Sequence, residues 1–146
     1  MRFRFRVASG LCLLAVLIVN VTVLEGRVSE MELTKTQADQ IIASAQLKGI
    51  KSKSDLPKAW YQAMGMDNMS DAGGPFSAGC TGSEPHSRMI AAAISDKYGV
   101  LLFEQGGIAH FRRLKLFSHT GKNIDCVYSE EVDENRIANI EDKFVK

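Results

Sequence analysis

The chain carries an uncharged apolar run at residues 7–24, directly after an opening hexapeptide that contains three arginines. In a helix these 18 residues rise about 27 Å, which is close to the hydrocarbon thickness of a bilayer. The arginines supply the positive flank that stays on the cytoplasmic side of a membrane. The run therefore predicts that residues 1–26 direct the chain to a membrane and that the remainder is exported.

Two interpretations of this segment differ in whether it is removed. Leu24 and Gly26 do not form the small-residue pair at which signal peptides are cleaved, which favours an uncleaved signal anchor. Asn20 and Thr22 lower the hydrophobicity of the span, which favours a cleaved signal peptide. The first interpretation predicts a single-pass membrane protein with its C-terminal domain outside the cytoplasm, and the second predicts a secreted or periplasmic protein.

The exported part has almost no net charge. Residues 27–146 contain 15 basic and 16 acidic residues, so electrostatics does not favour nucleic acid as a partner. A chain of about 120 residues suffices for one domain with its own core. We divide the sequence into a signal segment at 1–26, a polar stalk at 27–33 and a single α+β domain at 34–146.

Two cysteines remain in the exported part, Cys80 and Cys126. An even number of cysteines in an oxidising compartment predicts a disulfide between them. The bridge would close a loop of 46 residues, worth about 4 kcal/mol in the chain-entropy model. In the alternative interpretation, Cys80 is a nucleophile at the start of a helix, with His86 as its base.

Helical periodicity occurs in four segments of the domain. The first runs over residues 34–48, where Thr34 and Gln37 form a capping box. A short second helix follows Pro57 and ends at Gly65, and a third begins after Ser83 and ends at Gly99. The last begins at Asp133 and closes the chain. Their apolar positions are Ala38, Ile41, Ile42 and Ala45, then Trp60, Ala63 and Met64, then Ile90, Ile94 and Tyr98, and finally Ile137, Ile140 and Phe144.

Three segments near the C-terminus have strand character, at residues 100–104, 108–117 and 123–129. Because their connections are short, we expect a three-stranded antiparallel meander against which the helices pack. The first strand is apolar on both faces, as a buried strand requires. In the second strand the apolar alternation slips after Phe111, which predicts a β-bulge at residues 112–113.

Two features are candidate contact surfaces. Residues 65–82 contain five glycines and one proline without any period, which predicts a long loop of functional use. Residues 108–123 contain no acid and carry a run of basic side chains, which indicates a surface for an acidic partner or for lipid headgroups, or else a solvated sheet face. The residues that we assign to partner binding are His110, Arg112, Arg113 and Lys115, with His119 and Lys122 in the following turn.

The motifs of catalysis and cofactor binding are weak or missing. Met64, Met66 and Met69 are spaced as a thioether cluster that could bind monovalent copper, or else they fill the core. The three histidines have no metal-ligand spacing, and neither a nucleophile elbow nor a phosphate loop occurs. We therefore expect a non-catalytic, cofactor-free protein-interaction module, such as a subunit of an envelope complex or an inhibitor.

Overall fold

The computed structural model describes residues 32–79 and 81–144. The predicted membrane segment and most of the stalk lie outside these residues, and no helix within them is long and apolar enough to span a bilayer. The helices are α1 (Lys35–Ser44), α2 (Lys58–Ala63) and α3 (Glu134–Phe144). The strands are β1 (Lys48–Ile50), β2 (Met69–Ser70), β3 (Ser87–Ile94), β4 (Tyr98–Gln105), β5 (Phe111–Thr120) and β6 (Asn123–Glu131).

The strands form one mostly antiparallel sheet. Its order is β1-β3-β4-β5-β6, and β2 pairs in parallel with the start of β3. The predicted α+β class is confirmed at this level, but the prediction of three strands is wrong. The meander has four strands, β3 to β6, and β1 and β2 extend it along the outer edge of β3.

The sheet is covered on both faces, so its central strands are buried on both sides. Helices α1 and α3 pack on one face, which we call the helix face. Helix α2 and the residues around it pack on the other, which we call the Trp60 face. All of Val100–Glu104 in β4 is buried, as the continuous apolar run predicted. The buried apolar side chains of β3, β4 and β5 are Ala91, Ala93, Val100, Leu102, Leu114 and Leu116 on the helix face, and Met89, Ala92, Leu101, Phe103 and Phe117 on the Trp60 face.

The predicted third helix, from Ser83 to Gly99, is wrong because residues 87–94 form strand β3. The spacing of Ile90, Ile94 and Tyr98 matches a helix, but the segment MIAAAI is also a continuous apolar run, as expected of a strand buried on both faces. Pairing of β3 with both β4 and β1 satisfies its backbone, and this tertiary context overrides the helix propensity of the alanines.

The first and last helices agree with the sequence analysis. The capping box is present, with Thr34 N donating to Gln37 Oε1 at 2.9 Å, and Asp133 Oδ1 accepts from Arg136 N at 2.8 Å at the start of α3. Helix α1 ends at Ser44, four residues earlier than predicted, because Lys48–Ile50 pairs with β3.

The predicted bulge at residues 112–113 is wrong, since β4 and β5 pair without interruption from Tyr98 to Gln105. The apolar residues of β5 change phase because Phe111 and Phe117 lie on one face and Leu114 on the other. Bulges occur instead at Ile90 in β3 and at Val127 in β6.

Charged side chains join α1, β6 and α3 at the edge of the helix face. Arg136 contacts Asp39 in α1 and Glu130 in β6, the latter at 3.1 Å, and Lys35 contacts Glu130 as well. Burial acts to lower the pKa of Arg136, but the two carboxylates outweigh it and the pKa is raised. Burial, together with the negative charge of Glu130, raises the pKa of Tyr128 to about 12.

This shift predicts a loss of stability at high pH. Between pH 10 and 12 Tyr128 keeps its proton in the folded chain but loses it in the unfolded chain, so rising pH favours unfolding over that range. In denaturant unfolding, the free energy of unfolding should fall more steeply from pH 10 to 12 for the native protein than for Tyr128→Phe. Below pH 9 the difference in free energy of unfolding between the two proteins should be constant. A difference that stays constant up to pH 12 would contradict this prediction.

Candidate functional site

The two features that the sequence analysis singled out meet at one end of the sheet. The predicted loop at 65–82 contains a 3-10 turn and β2 at residues 66–70, and we call the segment that connects β2 to β3, described at residues 71–79 and 81–86, the loop. It lies against residues 106–110, which connect β4 to β5. We call the described parts of these two segments, residues 71–79, 81–86 and 106–110, the loop–turn surface.

Backbone hydrogen bonds join the loop to the turn. Gly106 N donates to His86 O at 2.8 Å, and Gly107 N donates to Ala78 O at 3.1 Å. The approach is close enough to require glycine, because a Cβ atom on Gly106 would lie 2.6 Å from Ala78 Cα. Within the loop, Ser77 N donates to Pro85 O at 3.0 Å. The loop therefore holds the turn through two backbone hydrogen bonds, and a third bond, from Ser77 to Pro85, joins two parts of the loop to each other.

Side-chain contacts hold the loop from the sheet side. Phe76 lies between Arg88 and His110, with the Arg88 guanidinium carbon 5.1 Å from the centre of its ring and the His110 ring 5.7 Å away. Arg88 Nη1 also donates to Gly74 O at 3.1 Å. The packing of a cation over an aromatic face is favourable, so Arg88 attracts the loop in two ways.

A buried carboxylate anchors these contacts. Glu104 is only 6% exposed. Its Oε1 accepts from Arg88 Nε at 2.6 Å and lies 2.5 Å from Nη2, and its Oε2 lies 3.0 Å from His110 Nε2. A buried charge is tolerated when it is paired and hydrogen-bonded in this manner. Arg88, Glu104 and His110 thus form one cluster under Phe76, which we call the Glu104 cluster.

One large apolar side chain of the described residues is fully exposed. It is Ile108, at 100%, in the middle of the turn. Its neighbour Ala109 is exposed and its neighbour Gly107 is half-buried. A fully exposed isoleucine on an ordered turn can be buried by a partner at little cost in conformational entropy, which makes Ile108 a candidate contact point.

The predicted basic surface is divided by the sheet. His110 belongs to the Glu104 cluster, and Arg112 lies 3.5 Å from the exposed carboxylate of Glu134 on the helix face. Arg113 and Lys115 lie on the Trp60 face, packed over the rings of Phe111 and Phe103 at 4.8 and 5.5 Å. Of these four residues, His110 lies in the loop–turn surface and Arg112 lines a cleft together with Gly73 of that surface, whereas Arg113 and Lys115 are on the opposite face of the sheet.

Clefts occur at both ends of the sheet. One, of about 440 Å³, adjoins the Glu104 cluster and is lined by Gly73, Arg112, Ile137 and Glu141 among others. The other, of about 860 Å³, lies at the opposite end and is lined by aromatic and aliphatic side chains with charged residues at its rim. Its principal lining residues are Ile50, Pro57, Trp60, Ile94, Tyr98 and His119.

The methionines that were spaced as a copper site are part of the core. Met64, Met66 and Met69 are all buried in the Trp60 face, packed with Trp60 and Leu101. Within the described residues, no group of three or more His, Cys, Asp or Glu side chains is placed to hold a metal ion.

The thiol-enzyme interpretation loses the helix on which it was based. Residues 87–94 form a strand, so no helix N-terminus follows Cys80 to lower the pKa of its thiol. Cys80 lies outside the described residues, and the predicted disulfide stays a prediction. Cys126 is exposed on β6. His86 Nδ1 lies 3.2 Å from Ser77 O, which ties the imidazole to the loop.

The sequence analysis missed Phe76, Arg88, Glu104 and Ile108. A signal was present for Glu104, because an acidic residue at the end of a buried strand needs a cation opposite it. Arg88 lies opposite Glu104 in the β3–β4 pairing, but this pairing is not recognisable once β3 is interpreted as a helix.

No family model matches the chain, and no curated protein or solved structure matches it at a significant level.

Proposed function

We propose that this protein is a small, non-catalytic interaction module that binds a protein partner through the loop–turn surface. The observation that carries the proposal is the full exposure of Ile108 on a turn braced by the loop. Burying an isoleucine side chain in a partner contributes about 1.5–3 kcal/mol. Because the turn is already ordered, little conformational entropy would be lost when the partner binds.

The charges around Ile108 suggest the chemistry of the partner. His110 ends the turn and Arg112 follows it, and among the described residues the Arg112 guanidinium makes one ion pair, at 3.5 Å, with the exposed Glu134. A long, exposed ion pair of this kind contributes little and exchanges readily. The surface suits a partner with an apolar pocket and carboxylates at the rim of that pocket.

The compartment is part of the same proposal. Residues 7–24 would either hold the module at a membrane or direct its release beyond it, with the domain outside the cytoplasm in both cases. In that compartment Cys80 and Cys126 would form the predicted disulfide.

The proposal is tested by cross-linking the full-length chain in its native membranes. A photo-activatable amino acid placed at Ile108 should give an adduct with one protein partner. The same probe placed at Ala43, an exposed residue of α1, is the matched control. Ile108→Asp should lower co-purification of the partner by about tenfold or more, because the apolar contact is replaced by a charge.

The control separates specific contact from proximity to the membrane. Adducts of equal yield at positions 108 and 43, or no adduct at position 108, would refute the interaction through the loop–turn surface. If the partner co-purifies with Ile108→Asp as well as with the unsubstituted chain, Ile108 is not the residue that anchors the interaction.

A further inference from the structure

We infer that Glu104 is a positioning residue for the loop–turn surface, and that its buried carboxylate sets the conformation in which the loop supports Ile108. The part of this inference that concerns binding rests on the proposed function. The part that concerns the loop depends only on contacts within the chain.

The loop has little regular structure of its own to stabilise it. A long glycine-rich segment loses much conformational entropy when it is ordered, so it needs contacts with the rest of the domain. Its backbone is tied to the turn through His86 and Ala78, and its side-chain contact with the sheet is made by Phe76. The two side chains that flank Phe76, Arg88 and His110, both bond to Glu104.

Glu104 therefore connects the strands to the loop through two side chains, Arg88 and His110. Arg88 uses its Nε and Nη2 atoms on the carboxylate and its Nη1 atom on Gly74 O, so one guanidinium joins β4 to the loop backbone. The planar guanidinium can hold both acceptors and present its face to Phe76 at the same time. Neutralising Glu104 removes the charge that orients Arg88 and His110 together.

The same carboxylate also orients the turn. His110 is the last residue before β5, and its bond to Glu104 Oε2 restrains the C-terminal side of the turn that carries Ile108. Gly106, on the other side of the turn, is restrained by His86. Release of the Glu104 cluster would loosen one side of the turn and the loop behind it, while β3 to β6 remain paired.

Amide hydrogen exchange on the full-length protein tests this directly. In Glu104→Gln, exchange at Ser77 and Gly107 should accelerate about tenfold or more relative to exchange at Leu101 and Leu102 in β4. If Glu104 only stabilised the fold as a whole, the exchange rates of all four amides would rise by the same factor. Glu141→Gln, which alters a half-buried carboxylate in the adjoining cleft, should leave the ratio unchanged.

Arg88→Lys is a second variant if Glu104→Gln does not fold. Lysine keeps the positive charge beside Glu104, but its compact ammonium group cannot also hold Gly74 O and cover Phe76. It should therefore accelerate exchange in the loop in the same way. Unchanged ratios in both variants would overturn the inference, and so would an equal acceleration in β4.

The cross-linking probe at position 108 then separates this inference from the proposed function. If Glu104→Gln accelerates amide exchange in the loop and lowers the adduct yield about tenfold, both the inference about Glu104 and the proposed function are supported. If loop exchange accelerates while the adduct yield is unchanged, Glu104 does not position the binding surface, although the proposed function survives. If the unsubstituted chain gives no adduct, the proposed function fails, and the exchange ratio alone decides whether Glu104 orders the loop.

Discussion

Replacing Gly99 with alanine should lower the free energy of unfolding by about 3 kcal/mol. Gly99 lies in β4 directly beneath α2, and a Cβ atom there would lie 2.7 Å from Met64 Cε and 2.8 Å from Trp60 Cε3. Real Cβ atoms do not approach other atoms so closely, so the Trp60 ring would have to move. Because Trp60 is the largest side chain in the core of that face, its displacement disturbs the whole layer.

The measurement is urea unfolding, with Gly79→Ala as the matched control. Nothing lies within 4 Å of a Cβ atom on Gly79, and we expect its replacement to change the free energy of unfolding by no more than about 0.5 kcal/mol.

A double variant gives a second check on the role of the Trp60 ring. Trp60→Leu removes the ring that the new Cβ atom meets, so Gly99→Ala should cost less in that background than in the native chain. Equal costs in the two backgrounds would show that the Trp60 ring does not limit this position.

Replacing Arg136 with methionine should lower the free energy of unfolding by about 2 kcal/mol. The guanidinium joins Asp39 of α1 to Glu130 of β6, and its loss leaves the mostly buried Glu130 with Lys35 as its only cationic partner among the described residues. Methionine keeps the packing of the aliphatic stem, so the change reports mainly on the charge. The cost is smaller than for a fully buried pair, because Arg136 and Asp39 are partly in contact with water.

Arg112→Met is the matched control for Arg136→Met. Arg112 makes one ion pair with the exposed carboxylate of Glu134 at 3.5 Å, and removing such a pair should cost no more than about 0.5 kcal/mol. Urea unfolding of the two variants at the same ionic strength compares them. Equal losses of stability would mean that the network between α1, β6 and α3 contributes no more than an exposed ion pair.

Local chemistry sufficed to predict several elements of the domain. The Thr34 capping box, the Asp133 cap and the apolar positions of α3 depend on residues only three or four apart, and all three occur as predicted. The buried strand at Val100–Glu104 was recognisable because it is apolar on both faces.

Prediction from sequence was wrong where a segment depended on what packs against it. Residues 87–94 fit both a helix and a two-sided strand, and only their pairing with β1 and β4 decides between the two. In the sequence, the phase change in β5 resembles a bulge. It arises because both faces of the sheet are covered, so the strand carries apolar residues on each face while its pairing with β4 continues without interruption. The basic residues of β5 are adjacent in sequence, yet alternation along the strand sends them to opposite faces.

The candidate site was predictable only in its parts. The sequence alone determined that residues 65–82 are rich in glycine and lack a repeating pattern, and that the strand beginning near His110 is basic, because composition and spacing are local properties. Only the tertiary structure decided that the loop lies against the turn, that Glu104 lies between Arg88 and His110, and that Ile108 remains in water. These contacts join residues on separate strands and loops, and their geometry follows from strand register and packing, which depend on the whole chain.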